Sequence, residues 1–124
     1  MNEHKKLREA EYFYLQLVNP ARKTAFAYNV RGLLIRGRSL IAEAREEAAR
    51  HTAGVAWCDW WEQQPLIAFV SSLSKIDFRE HDGREASHRF SSWRGPEDAR
   101  TVCREYLDLV EQYIAEGRSQ GFLR

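Results

Sequence analysis

The chain has 124 residues, of which 19 are Lys or Arg and 18 are Asp or Glu, so its net charge is +1. This length predicts a single domain over residues 1–124, with a core large enough to fold without disulfides or metals. The near-neutral balance excludes a protein that binds nucleic acid through its overall charge alone.

The cysteines and the absence of long apolar runs indicate the compartment. No run reaches the about 20 apolar residues needed to cross a bilayer, and the N-terminal residues lack the apolar segment of a signal peptide. Cys58 and Cys103 are too few and too far apart for a zinc or redox motif, so we expect buried thiols in a reducing compartment. The sequence therefore predicts a cytoplasmic protein without a metal, a cofactor or contact with a membrane.

The first two predicted helices cover residues 3–18 and 20–50. In the second, apolar residues recur every three or four positions, which places them on one side of a single helix. Further apolar residues widen this side beyond a narrow seam, and we expect the helix to lie at the centre of a bundle. The narrow set is Phe26, Val30, Leu33, Gly37, Leu40, Ala44 and Ala48, and the residues that widen it are Ala27, Leu34 and Ile41.

Three more helices are predicted, near residues 53–63, 66–77 and 96–116. The first of these is short and rich in tryptophan. Trp57 and Trp61 are four residues apart, so we expect both side chains to face the core.

The segment between the fourth and fifth helices has no sustained apolar period. Over residues 78–95 we expect a long loop, with a short extended piece near residues 88–93. The last helix should begin with Pro96 at its first position and end at Gly117. The predicted fold class is all-α, a four- to five-helix up-down bundle with a long loop before the last helix.

A band without acidic residues runs from Tyr12 to Ala42 and contains Arg31, Arg36 and Arg38. This local positive charge is the electrostatic indication of an anionic partner, and these arginines are the candidate binding residues. A solvated helix face explains the same pattern, and the residues alone favour that interpretation.

His81 is the histidine best placed for chemistry, because it follows the fourth predicted helix in a charged segment. A histidine there could transfer a proton, and Lys75 or Arg79 could stabilise the charge on a phosphoryl group. His81, Lys75 and Arg79 are therefore the candidate catalytic residues. The alternative is that His81 is a surface residue without a catalytic role, as most histidines in surface loops are.

The chain contains, in this order, the stretches LLIRGRSLI, WCDWW, PLIAFVSSLSKIDFREHDG and TVCREYLDLVEQYIAEG. These stretches are spread over most of the chain and are similar to the small all-α HEPN-like proteins of bacteria. Relatives commonly carry Arg-Ser in the central helix, here Arg38-Ser39. HEPN nucleases have an Arg, usually followed by a polar residue, and a His four to six residues after the Arg. In this sequence His81 occupies the His position, while Lys75 and Ile76 occupy the positions of the Arg and its polar neighbour.

The resemblance implies two classes of function. Active members cleave RNA without a metal at a dimer interface, through attack by the ribose 2′-OH. Members without the full motif act as non-catalytic partners, for instance beside a nucleotidyltransferase in toxin–antitoxin pairs. Lys75 supplies a point charge where Arg would supply a planar fork, and Ile76 lies on the predicted apolar side of its helix. Both departures favour a non-catalytic binding or scaffold protein of a stress-response, toxin–antitoxin or phage-defence system, with a metal-independent endoribonuclease as the alternative.

The sequence also predicts a symmetric homodimer. The central helix is apolar over too wide an arc for two or three neighbours, and the tryptophan-rich segment adds apolar surface. Arg31, Arg38 and Arg45 recur every seven residues and should line or flank the interface. The expected partners are therefore a second copy of the chain and, beyond it, RNA or a partner protein such as a nucleotidyltransferase.

Overall fold

The computed structural model describes residues 3–19, 25–73, 78–80, 88–90, 92–93, 95 and 97–124. These residues form five helices, which confirms the predicted all-α bundle, and one short antiparallel pair of strands. The helices are α1 (His4–Val18), α2 (Phe26–Ala48), α3 (Gly54–Glu62), α4 (Pro65–Ser72) and α5 (Ala99–Ser119), and the strands are β1 (Phe78–Glu80) and β2 (His88–Phe90).

Ion pairs between α1 and α2 show that these helices are antiparallel. Lys6 pairs with Glu43, and Arg36 pairs with Glu9 at 2.8 Å, so residues early in α1 meet residues late in α2. The partners therefore advance in opposite directions along the two helices.

Helix α5 is also antiparallel to α1. Arg104, near the start of α5, pairs with Glu11 at 3.0 Å, and Arg118, near its end, pairs with the buried Glu3. The beginning of α1 therefore lies beside the end of α5, and α5 runs parallel to α2.

Helices α3 and α4 together form the remaining leg of the bundle. Arg45 in α2 pairs with Asp59 of α3 at 2.8 Å, and Arg38, earlier in α2, donates to the carbonyl of Leu73 after α4. This leg is therefore antiparallel to α2. Pro65 begins α4, and because proline has no N–H it divides the leg into two short helices. The four legs alternate in direction, as the predicted up-down topology requires.

Helix α2 lies at the centre and packs against the other four helices. Every residue of the narrow predicted apolar set is buried, and so are Leu34 and Ile41, but Ala27 is exposed. The helix begins at Phe26, and the predicted start at residue 20 lies outside the described residues. Among the helices described, none is long and apolar enough to span a membrane.

The fourth helix ends before its predicted boundary at residue 77. It stops at Ser72, and Leu73 already has extended backbone with ψ at 114°. Arg38 donates to the carbonyls of Ser71 and Leu73, at 3.2 and 2.7 Å, and so satisfies acceptors left open where a helix ends. Residues 74–77 lie outside the described part of the chain.

Both predicted boundaries of the fifth helix are wrong. The helix begins after Asp98, whose side chain accepts a hydrogen bond from the Arg100 backbone N–H at 2.8 Å. Gly117 does not end the helix but lies buried inside it. The chain turns at Gly121, where φ is 80°, a value that glycine adopts readily.

The segment predicted as a long loop contains the antiparallel strands β1 and β2. Phe78 pairs with Phe90, Arg79 with Arg89 and Glu80 with His88. Strand β2 falls where the extended piece was expected, whereas β1 was not predicted.

Candidate functional site

The predicted catalytic residues fall largely outside the described residues. Lys75 and His81 lie outside them, and for Arg79 the structure describes only the backbone, in β1 opposite Arg89. Their proposed roles therefore stay predictions.

The three predicted binding arginines occupy different environments. Arg36 pairs with Glu9, and its guanidinium lies 5.3 Å from the centre of the Phe13 ring. Arg38 caps the carbonyl end of α4, as described above. Arg31 is exposed, and no ion-pair partner for it is found in the described part of the chain. At about 100° per residue, Arg31 and Arg36 lie about 140° apart around α2, so the three do not form one cluster.

A cluster of charged side chains joins α1 to α5. Arg104 donates two hydrogen bonds to Glu11, both at 3.0 Å, and two to Asp108, at 3.1 and 2.8 Å, and its guanidinium lies 4.8 Å from the centre of the Tyr14 ring. The hydrogen bonds from Arg104 lower the pKa of Glu11. Burial raises the pKa of Glu111, and the neighbouring carboxylate of Glu11 adds to this effect. These contacts hold the two helices together, although the carboxyl groups outnumber the one guanidinium.

The two thiols are unsuited to chemistry. Cys58 and Cys103 are both buried and unpaired, as predicted, and burial raises the pKa of each thiol. The Tyr113 hydroxyl donates to the Cys58 sulfur at 3.1 Å, and burial raises the pKa of Tyr113 as well. A thiol with a raised pKa carries little of the reactive thiolate. Within the described residues, no group of His, Cys, Asp or Glu could hold a metal ion.

Trp57 and Trp61 face the core as predicted, but the neighbouring Trp60 is exposed. Trp57 and Trp61 are buried, and Trp57 donates through Nε1 to Glu116 at 3.1 Å. Trp60 is 57% exposed, and its ring packs edge-on against Trp61 at 5.5 Å. Val55, five residues earlier in α3, is also exposed, but at about 100° per residue it lies about 140° away around the helix. We term the exposed side of α3 around Trp60 the α3 surface.

An open apolar groove lies between α4 and the residues before α5. The Phe69 ring lies 4.9 Å from the Trp93 ring and 5.5 Å from the Phe90 ring. The Trp93 indole N–H donates to Glu97 at 2.7 Å, which fixes this wall. The groove encloses about 520 Å³ and is lined by Pro65, Ala68, Phe69, Ser72, Ser92, Trp93 and Gly95.

A second exposed aromatic surface lies on α1 and α2. Tyr12 and Tyr28 are exposed, and both pack against the half-buried ring of Phe13. Sequence reasoning missed this surface because it followed the apolar side of each helix. The available signal was that both tyrosines fall off that side, where large apolar residues are unusual.

Comparison with known proteins assigns no family: no protein-family model, no curated protein and no solved structure matches the chain. The resemblance to HEPN-like proteins therefore stays a prediction.

Proposed function

We propose that the protein is a non-catalytic helical binding protein that acts as a homodimer. The observation that carries this proposal is the α3 surface. An indole is seldom left this exposed in a monomeric domain, and tryptophan is among the residues that dominate protein interfaces. The resemblance to HEPN-like proteins supports a role in a stress-response, toxin–antitoxin or phage-defence system.

The surroundings of Trp60 suit a contact between identical copies. A symmetric interface brings the same surface of both chains together, so unpaired charge there would repel itself. The acidic neighbours Asp59 and Glu62 are already paired with Arg45 of the same chain. The Trp60 ring also packs against Trp61, so the Trp60 side chain loses little conformational entropy when a second copy covers it.

The described side chains support a binding role over a catalytic one. The thiols are buried with raised pKa values, and Arg36, Arg38 and Arg104 hold helices together. Lys75 and Ile76 depart from the HEPN nuclease motif in sequence.

Light scattering over a concentration series tests the dimer. We expect the native chain to dimerise, and Trp60→Ala to weaken dimerisation by at least about tenfold, because loss of an interface anchor costs about 2 kcal/mol or more. Tyr28→Ala is the matched control, since it removes an exposed aromatic ring from a different surface and should leave dimerisation unchanged. A monomer at high micromolar concentration, or equal effects of both variants, would contradict the homodimer.

A cleavage assay tests the non-catalytic part of the proposal. Purified protein should leave RNA intact in EDTA. A nuclease that used His81 would lose about a hundredfold or more of its activity in His81→Ala, the usual effect of removing a general acid or base. In that case Lys75→Arg should keep or raise activity, because it restores the planar fork. Reproducible cleavage in EDTA that disappears in His81→Ala would overturn the proposal.

A further inference from the structure

Three aromatic rings form a strip on the outer side of the α1–α2 pair. The Phe13 ring centre lies 5.9 Å from that of Tyr12 and 5.9 Å from that of Tyr28, with both pairs edge-on. Phe13 is half-buried against Gly32, whereas Tyr12 and Tyr28 are 56% and 66% exposed. We term Tyr12, Phe13 and Tyr28 the aromatic strip. Because Phe13 contacts both tyrosine rings, the tyrosine side chains lose little conformational entropy when a partner covers them.

Two cations lie beside the aromatic strip. Arg8 lies one turn before Tyr12 in α1, and Arg31 lies one turn after Tyr28 in α2. Both arginines are exposed, and neither has an ion-pair partner among the described residues. Glu9, the acidic residue next to Arg8, is already neutralised by an arginine of α2. Because α1 and α2 are antiparallel, both arginines lie towards the same end of the helix pair. The surface therefore offers exposed aromatic rings with two positive charges at one end.

We propose that the aromatic strip, with Arg8 and Arg31, docks an acidic amphipathic helix of a partner protein. This inference rests on the proposed function, which makes the protein a binding module, and it names the chemistry of its partner. Carboxylates of the partner would lie on the two arginines, and its apolar side chains would cover the rings. Tyrosine and arginine are the residue types that contribute most energy to such interfaces.

Two other occupants fit the surface less well. A second copy would bring two further arginines to the same interface, and adding like charge to an interface is unfavourable. Single-stranded RNA could stack its bases on the tyrosines. However, Ile35, two turns after Tyr28, is 47% exposed, and Leu15 is also exposed. These aliphatic side chains offer no aromatic face to a base, whereas a helix could bury them.

Fluorescence anisotropy with two labelled peptides tests the proposal on the full chain. One peptide is an amphipathic helix of about five turns, with glutamate on its polar side and leucine on its apolar side. The other has lysine in place of every glutamate. We expect the glutamate peptide to bind and the lysine peptide to bind at least about tenfold more weakly. Binding should also weaken as salt rises from 0.1 to 1 M, over which the screening length falls from about 10 to about 3 Å.

Matched variants locate the surface. Tyr28→Ala and Arg31→Glu should each weaken binding of the glutamate peptide by at least about tenfold, a change equal to about 1.4 kcal/mol. Arg124→Glu makes the same change in net charge at the exposed C-terminal residue and should leave binding unchanged. Trp60→Ala, which tests the dimer, should also leave peptide binding unchanged.

Three results would overturn the inference: no binding of the glutamate peptide at about 1 mM, tighter binding of an oligouridine than of the peptide, or equal loss in Arg31→Glu and Arg124→Glu. A dimer that fails to bind the peptide would refute this inference and leave the proposed function standing. A monomer that binds the peptide would refute the homodimer and leave this inference standing.

Discussion

Replacing Gly37 with Ala should destabilise the fold, because the added methyl group would lie where the ring of Tyr106 packs. A Cβ at this position would be 2.8 Å from the Tyr106 hydroxyl oxygen and 2.9 Å from Cζ. Tyr106 is 1% exposed, so its ring has no solvent to move into. Overpacking costs about 1–3 kcal/mol, and Ala regains about 1 kcal/mol over Gly inside a helix. With the contact this close, we expect a net loss of about 1–2 kcal/mol in the free energy of unfolding.

Gly32→Ala is the matched control, since it makes the same change five residues earlier in α2. A Cβ at Gly32 would be 2.6 Å from two carbons of the Phe13 ring, which is an equally close contact. Phe13, however, is only half-buried and can rotate towards solvent. The gain in helix propensity should offset that movement, so the free energy of unfolding should change by no more than about 0.5 kcal/mol.

Urea unfolding followed by circular dichroism measures both variants. The Gly37→Ala midpoint should fall by about 1 M at an unchanged slope. A double-mutant cycle with Tyr106→Leu should give a coupling energy of at least about 1 kcal/mol, because the smaller side chain relieves the contact. If Gly37→Ala is as stable as Gly32→Ala, the packing of Tyr106 against α2 is not as described.

Two further predictions concern arginine and pH. Arg38→Ala should cost about 1 kcal/mol in urea unfolding, because it leaves two carbonyls at the end of α4 without their donor, whereas Arg31→Ala should stay within about 0.5 kcal/mol. Arg36 lowers the folded-state pKa of Glu9, and Arg104 lowers that of Glu11, below the usual 4.5. The ionised carboxylates therefore stabilise the fold above pH 4.5, and this stabilisation is lost as the pH falls through their folded-state pKa values. Thermal unfolding from pH 6 to pH 2 should therefore lose stability less steeply in Glu9→Gln/Glu11→Gln than in the native chain, and equal slopes would contradict this.

The core could be predicted because burial repeats with the period of the helix. The narrow apolar set of α2 and the inward-facing Trp57 and Trp61 followed from spacing alone, whereas Ala27 is exposed. The helix ends could not be predicted as well, since they depend on contacts between residues far apart in sequence. α4 ends where Arg38, more than thirty residues earlier, meets its last carbonyls.

The candidate surfaces were harder to predict than the core. The acid-free band indicated positive charge, but spacing could not show which of its arginines have partners within the chain. Arg36 and Arg38 are held by such contacts, whereas Arg31 has no ion-pair partner among the described residues. Nor could it distinguish the exposed Trp60 from the buried Trp57 and Trp61. Exposure depends on which sides of a helix its neighbours cover, and that is a property of the assembled bundle.

The pairing of Glu3 with Arg118 has a consequence for the order in which the chain can fold during synthesis. Residue 3 leaves the ribosome long before residue 118, yet the two close the same end of the bundle. Helices α1 and α2 can form a hairpin early, but α5 has not yet arrived to cover their shared apolar side. That side is therefore not fully covered until α5 has been synthesised. A ribosome that stalls before α5 emerges would release a fragment with an open core, which is a form that aggregates readily.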